Sequence, residues 1–596
     1  MRDVFALCFS VPIALSLGCA LPGGGAEQRD ASPPSIILIV TDDQGMGDYG
    51  HAGHPYLETP HLDRFALECP SVPRHYVSPV CSPTRASLMT GRYSQRTRVI
   101  DTWAGRSMME PDEVTVAEVL GSAGYGTGIF GKWHLGDCYP MRPMDQGFDE
   151  SLVHRGGGLA QPSEPLANGR RYTDPVLFKD GEPVQAEGYC TDVYFDAALE
   201  FIDEQITAEA PFFAYVATNA PHGPFHDVPE ALYAKYRERI IAAVEPRDLS
   251  AAEDREARLC AMIENIDQNV GRLMAHLEER GVADDTLVVF MSDNGCIPGR
   301  FNAGLRGSKT TVYEGGIRSP LFVRWPGELK ATTALQGATA HIDIMPTLLD
   351  VAGAQWPSGV RIDGRSLLGP LRGEPDPWMS RSLVLQAHRG NAPGREHQFA
   401  VVTDRWKLVR SSGFGVYEAP PDHPFELYDL RADPGESTDR AALRPDLVAS
   451  LREEYGRWFD DVSSTREDNY APPHIVVGDD AETLTVLTRQ DLRPTDGEGW
   501  NGRGWWPLAT ESPVDVEVTL IFREPHALDE AQLSLGEKTL TFGPASASGR
   551  ISLGSVTLPG GAFRFQVDCF HGGEPVSLHQ VELARPAAAA PVTGGQ

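Results

Sequence analysis

Three runs of continuous apolar residues, each ending abruptly in polar ones, constrain this chain most. "IILIV" (36–40) runs into "TDDQG", "PFFAYVATNAPHG" (211–223) turns polar at Thr218, and "TLVVFMSDNG" (286–295) turns polar at Ser292. β-Branched and aromatic runs without alternation read as strands covered on both faces, as in a parallel sheet packed between helices. Helical patterns precede two of them, "TDVYFDAALEFIDEQ" (191–205) and a longer one over 253–280. Helix alternating with apolar strand predicts a doubly wound α/β domain. Ligands of such sheets gather beyond the carboxyl ends of the strands, so the polar residues closing the three runs are expected to converge.

The rest of the chain divides by texture. In residues 1–30 one Arg precedes an apolar stretch from Val4 to Leu17, and a Gly/Pro/Ser-rich linker follows. That stretch is too short to span a bilayer and predicts an export signal, with "LSLGC" similar to a lipoprotein box apart from Ser16. The α/β domain is expected over 31–375. From 376 to 468, short extended pieces such as "QFAVVTDRWKLVRS" precede a helical "RPDLVASLREEYGRWFDDV" and predict a small α+β subdomain on an antiparallel sheet. Alternating strands such as "VDVEVTLIF" and "FRFQVDCF", separated by turn signals, predict a β-sandwich over 469–586. The last residues, 587–596, have the composition of a disordered tail. No later stretch is apolar enough to cross a membrane.

The formal net charge is −31, from 83 acidic and 52 basic residues. This argues against a duplex nucleic-acid binder, which needs a broad Lys/Arg surface, and means that an anionic substrate must be caught by a local cationic pocket. Past the export signal, and apart from Cys81, six cysteines remain: Cys69, Cys138, Cys190, Cys260, Cys296 and Cys569. In an oxidising compartment they permit fifteen disulfide pairings, among which spacing selects none.

The strand ends carry chemistry. Asp42 and Asp43 follow the first run; Asp293 and Asn294 follow the third. Carboxylates and an amide oxygen suit a hard divalent cation better than zinc. "GKWHLG" places Lys132 and His134 two apart after "YGTGIF", where an extended backbone would point both the same way. His222 closes the second run, and Lys309 lies in the Gly-rich "RGSKTTVYEGG". Two Lys, two His and an Arg beside a metal would hold a tetrahedral oxyanion and supply proton-transfer groups.

A nucleophile completes the set. "CSPTRASLMTGRY" (81–93) begins with a Cys followed within four positions by a Ser, a Pro, a Thr and an Arg, with no second Cys or His in the next twelve residues. Residues 81–85, "CSPTR", match the C-x-P-x-R signature of the formylglycine-dependent type I sulfatases, and the longer run resembles them closely. "TDDQG", "GKWHLG", "APHGP", "SDNG", "GLRGSKTTVYEGGIRSP" and "ELYDLRADPGE" are similar to further landmarks of that family, over roughly residues 35–440. The resemblance implies an alkaline-phosphatase-like mixed sheet sandwiched by helices, with a small C-terminal subdomain. It implies hydrolysis of an aryl or carbohydrate sulfate ester. It further implies that a formylglycine-generating enzyme oxidises Cys81 to an aldehyde. Hydrated, this becomes a diol: one hydroxyl attacks sulfur and the other later loses its proton, so that the aldehyde re-forms and sulfate leaves.

Carried over by motif, Asp42, Asp43, Asp293, Asn294 and the modified Cys81 would bind Ca²⁺. Arg85 would orient the diol, Lys132 and Lys309 would hold sulfate oxygens, His134 would accept the proton that collapses the sulfated intermediate, and His222, with Lys309, would face the leaving-group oxygen. The same machinery would serve a phosphonate monoester or phosphodiester. An unmodified Cys81 would leave a noncatalytic glycan-binding protein. A zinc phosphatase would want further His/Asp ligands and a Ser or Thr at position 81. Residues 137–190 are expected to wall the pocket, with His154 and Arg155 as sugar or carboxylate contacts, and "GWNGRGWWP" offers aromatics for stacking or for a core.

Overall fold

The computed structural model describes residues 33–159, 161–243, 249–375, 380–496 and 502–586. The export-signal and C-terminal-tail expectations lie outside them. Eight strands form the central sheet: β1 (Ser35–Thr41), β2 (Gly126–Lys132), β3 (Glu150–His154), β4 (Val176–Lys179), β5 (Glu182–Gln185), β6 (Phe212–Ala217), β7 (Thr286–Ser292) and β8 (Leu321–Arg324). Their order is β8-β7-β1-β6-β2-β3-β4-β5. The pairings from β7 through β3 are parallel, and antiparallel strands close both edges.

The three apolar runs are the three adjacent central strands, with Ile36 opposite both Phe213 and Leu287. Alternation sends Ile36, Leu38, Val40, Phe213 and Tyr215 into one core cluster. Ile37, Ile39, Phe212, Ala214 and Val216 enter the other. Each aliphatic or Phe side chain so buried contributes about 1.5–3 kcal/mol, so both faces of the sheet are fixed by the sequence pattern itself. Helices Cys190–Thr207 and Ala251–Glu279 cover the second face.

Beyond the α/β unit, strands Leu383–Gln386, Phe399–Val402, Trp406–Arg410 and Glu426–Asp429 form an antiparallel sheet. Helix Pro445–Ser463 packs on it through Leu451 and Tyr455, whose ring stacks on Phe399 at 3.7 Å. Between Ile475 and Ala584 the chain builds a seven-stranded and a four-stranded sheet. Their shared core gathers Trp506 and Phe565 with Val518 and Val581, and Met108, Cys138 and Met141 of the α/β unit enter the same cluster. Trp506 is therefore a core residue, while Trp505 carries Arg564 on its ring.

The seven cysteines among the described residues are all buried free thiols. The open question of their pairing is answered against disulfides.

Candidate active site

Cys81 is the first residue of a helix, Cys81–Thr90, whose ten residues are all buried. The four-residue spacing to Arg85 is one turn, so both face the same way. Pro83 sits in the first turn, where its missing N–H would have had no helical partner. Gly91 ends the helix at φ 65°, its N–H donating to Ser87.

Arg85 is fully buried. Its Nε and Nη2 donate to Asp293 Oδ2 at 3.1 and 2.8 Å, and its Nη1 to the Lys132 carbonyl at 2.8 Å. Lys132 Nζ reaches Asp42 Oδ2 at 2.6 Å. Lys309 Nζ lies 2.5 Å from Asp43 Oδ1 and 3.4 Å from Cys81 Sγ, and the thiol faces Asp42 Oδ1 at 3.3 Å. The structure thus brings Asp42, Asp43, Asp293, Cys81, Arg85, Lys132 and Lys309 into one cluster at the carboxyl ends of β1 and β7. Three carboxylates there balance three cations.

Electrostatics separate the members. Burial would raise the Asp42 carboxyl, but Lys132, His222, Lys309 and Arg85 hold it well below the usual range. Burial and then the neighbouring Asp42 push Asp293 up to about 6 against the pull of Arg85. Burial, reinforced by Asp293 and Asp42, raises the Cys81 thiol far out of the physiological range. A thiol in that state is protonated and inert, since the thiolate is the nucleophile.

The donors fit a hard cation. Ligand atoms of Asp42, Asp43, Cys81 and Asp293 lie within 4.8 Å of one another, all buried. Asn294 Nδ2 donates to Asp43 at 2.8 Å, while its Oδ1 is buried with no partner. Three carboxylates plus an orphaned amide oxygen make an oxygen-only cage. A divalent ion there would leave two excess positive charges for an anion.

The two histidines are fixed as opposite tautomers. His134 Nε2 donates to the Thr102 carbonyl at 2.8 Å, leaving Nδ1 buried and unpartnered. His222 Nδ1 donates to the Gly223 carbonyl at 2.8 Å, leaving Nε2 facing Asp43 at 3.9 Å. Burial lowers the proton affinity of both rings, most strongly for His134, which also feels Lys132. The expectation of an extended backbone at 132–134 is corrected: β2 ends at Lys132, and His134 adopts φ 62°. It reaches the cluster by a left-handed turn rather than by alternation.

Residues 34–354 match the family model described as Sulfatase, more than half of the chain. The chain belongs to the sulfatase family. A second model, N-sulphoglucosamine sulphohydrolase, C-terminal, matches residues 307–453 of this sulfatase. It is 34% identical to N-acetylgalactosamine-6-sulfatase of Sus scrofa over 465 residues, covering 70% of this chain and 84% of that one. It is 30% identical to arylsulfatase A of Homo sapiens, covering 74% and 89%. The crystal structure of Ps i-CgsB in complex with k-i-k-neocarrahexaose matches with a TM-score of 0.62 at 26% identity, over 74% of this chain and 94% of that one. Phosphonate monoester hydrolase of Agrobacterium radiobacter matches with a TM-score of 0.51 at 22% identity, over 72% and 95%, a likeness of fold. The sulfatase is accordingly a sulfate ester hydrolase of the alkaline phosphatase superfamily.

Two of the sequence landmarks brace the site instead of reacting. Glu314 of "YEGG" and Glu436 of "ADPGE" both pair with Lys407 Nζ at 2.9 Å, all three buried. This knot ties the Lys309 loop to the antiparallel subdomain. Lys309 N and Thr310 N donate to Cys296 O and Pro79 O, each at 2.8 Å, zipping the loop to the segment before Cys81.

His154 and Arg155 stand apart from the cluster: His154 lies 3.5 Å from Glu164, and Arg155 sits 4.1 Å over the Phe178 ring. Sequence reasoning missed Tyr172, whose hydroxyl donates to the His222 carbonyl, and Gly157, which lies against the His134 ring. It also missed Gln490, from the C-terminal sandwich. Gln490 Nε2 donates to Thr102 O at 2.8 Å and to Ser107 Oγ at 2.9 Å, sharing the carbonyl that His134 uses.

Proposed function

We propose that this sulfatase removes sulfate from a carbohydrate or aryl sulfate ester by a formylglycine- and Ca²⁺-dependent route, and that it acts outside the cytoplasm after export. The reading is carried by the position of Cys81: a buried, protonated thiol on the first turn of a helix, between Asp42 and Lys309. Sulfur is unreactive there. Oxidised to formylglycine by a maturation enzyme and hydrated, the residue would supply an oxygen nucleophile, and a Ca²⁺ held by Asp42, Asp43, Asp293 and Asn294 would supply Lewis acidity.

The remaining work falls to side chains in place. The positive helix end and the Lys132 and Lys309 ammoniums attract and hold sulfate oxygens. Arg85, clamped on Asp293, orients the group at position 81. Neutral His134, its Nε2 proton committed to Thr102, presents Nδ1 as a proton acceptor. His222 presents Nε2, and the charge of a bound sulfate would raise its proton affinity, which suits donation to the leaving-group oxygen. The sulfated-glycan substrate class is supported by relatives such as N-acetylgalactosamine-6-sulfatase and by the similar structure of BT4656 in complex with its substrate D-glucosamine-2-N,6-O-disulfate.

The test compares native-host enzyme on an aryl sulfate and an aryl phosphate diester. A large preference for the sulfate, lost with a calcium chelator and restored by Ca²⁺, is expected. A large preference for the phosphodiester would overturn the reading. Mass spectrometry of the tryptic peptide holding residue 81 should show the aldehyde; an unmodified thiol throughout would point to a glycan-binding protein instead.

A further inference from the structure

Around Asp101, the neighbour of the Thr102 whose carbonyl holds His134, three parts of the chain bring arginines together. Arg106 comes from the α/β unit, Arg389 from the antiparallel subdomain and Arg493 from the C-terminal sandwich. Arg106 Nε and Nη2 donate to Asn391 Oδ1 at 3.2 and 2.9 Å, and Arg493 Nη1 donates to the same oxygen at 3.2 Å. Arg389 Nη1 lies 3.3 Å and Arg106 Nη1 3.9 Å from Asp101 Oδ2. Asp101 faces Arg389 and Arg106, and its charge also acts on Arg493, so positive charge is in excess among these four groups, within a chain of net charge −31.

Burial makes that excess consequential. Arg106 is 1% exposed and Arg493 4%, and Nη1 of the first and Nε of the second have no hydrogen-bond acceptor. Burial and then Arg106 push the Arg493 guanidinium down to about 9. Arg389 is the accessible member, its side chain 29% exposed. Its guanidinium lies over the Trp103 ring at 4.5 Å and the Phe414 ring at 5.1 Å, which restricts its rotamers before any ligand arrives.

The cluster is tied to both walls of the active site. Asp101 accepts from Thr102 N at 2.7 Å, and the Thr102 carbonyl holds His134. On the other side Arg389 N donates to Phe414 O, Gly413 N donates to Gln398 Oε1, and Gln398 Nε2 donates to the carbonyl of Thr310, beside Lys309.

We propose that Arg389, backed by Arg106 and Arg493, forms a second anion subsite that binds a carboxylate or sulfate of the substrate other than the sulfate being removed. This rests on the sulfatase reading above and narrows its substrate to saccharides with at least two anionic groups. A planar guanidinium matches either oxyanion with paired N–H donors. The buried pair beneath supplies field without needing contact.

The experiment uses the matured full-length enzyme with Arg389→Gln and Arg389→Lys. Three ligands are compared: a hexosamine 6-sulfate, a disaccharide joining a uronate to that sugar, and a hexosamine with two sulfates. Affinity is measured calorimetrically and turnover as kcat/KM. Wild type should favour at least one dianionic ligand by roughly ten- to hundredfold. Arg389→Gln should bring that ratio towards one, and Arg389→Lys should keep part of it. Preference for the uronate or for the second sulfate identifies the anion. No preference in wild type, or an equal loss on all three ligands in Arg389→Gln, overturns the proposal. Failure to release sulfate from any ligand or from an aryl sulfate would count against the hydrolase reading, while the calorimetric ratios would still decide this one.

Discussion

Behind Cys81, His75 and His341 hold the approach to its helix. His341 Nδ1 meets the Tyr76 carbonyl at 3.1 Å and Nε2 meets Ser78 Oγ at 3.3 Å, while His75 Nδ1 pairs with Thr339 Oγ1 at 2.9 Å. Burial pushes His75 down to about 3 and His341 to about 4. An unfolded histidine titrates near 6.5. From there down to the folded values the unfolded chain takes up protons that the folded one refuses. Stability is therefore intact above 6.5 and drains as pH falls towards 3, by up to ~1.4 kcal/mol per pH unit for each ring. His75→Gln should flatten the fall in unfolding free energy between pH 6 and 4 by about that amount, as read from denaturant titrations at each pH. At this scale the sequence was informative where residue type and strand end coincide, as for Asp42, Asp293 and His222. It was silent where the contribution is a main-chain carbonyl, as at Thr102, because any residue type supplies one.

Among the elements, the stretch Gly156–Gly158 passes between the two histidines. A Cβ at Gly157 would come within 2.6 Å of His134 Cε1, and one at Gly158 within 3.3 Å of His222 Nδ1. Gly157→Ala should therefore displace the His134 ring with little change in thermal stability. A misplacement of about 1 Å costs on the order of a hundredfold in rate. Steady-state kinetics on an aryl sulfate should show the loss mainly in kcat; an unaltered kcat would mean that the ring tolerates the shift. The central strands were readable because burial on both faces leaves an unbroken apolar signature. The turn after β2 was not: a non-glycine residue at positive φ leaves no local mark, and "GKWHLG" continues the appearance of a strand.

For the molecule as a whole, the C-terminal sandwich packs into the α/β unit and reaches the carbonyl that holds His134. Met108, Cys138 and Met141 lie in its core, and Gln490 shares the Thr102 carbonyl with His134. Gln490→Met keeps the side-chain volume but removes both donors to Thr102 and Ser107. A roughly tenfold lower kcat at similar KM is expected, the pattern of an interaction that matters in the transition state rather than in binding. Unchanged kinetics would reduce the sandwich to packing. No sequence pattern announces this link, since Gln490 and His134 are 356 positions apart and meet only when the units dock. The helix that begins at Cys81 sets a timetable as well. All ten of its residues are sealed inside the finished protein, so any catalyst that reads "CSPTR" must finish with this stretch while the chain is still threading or extended. Once the sheet closes over it, Cys81 is sealed from such a catalyst.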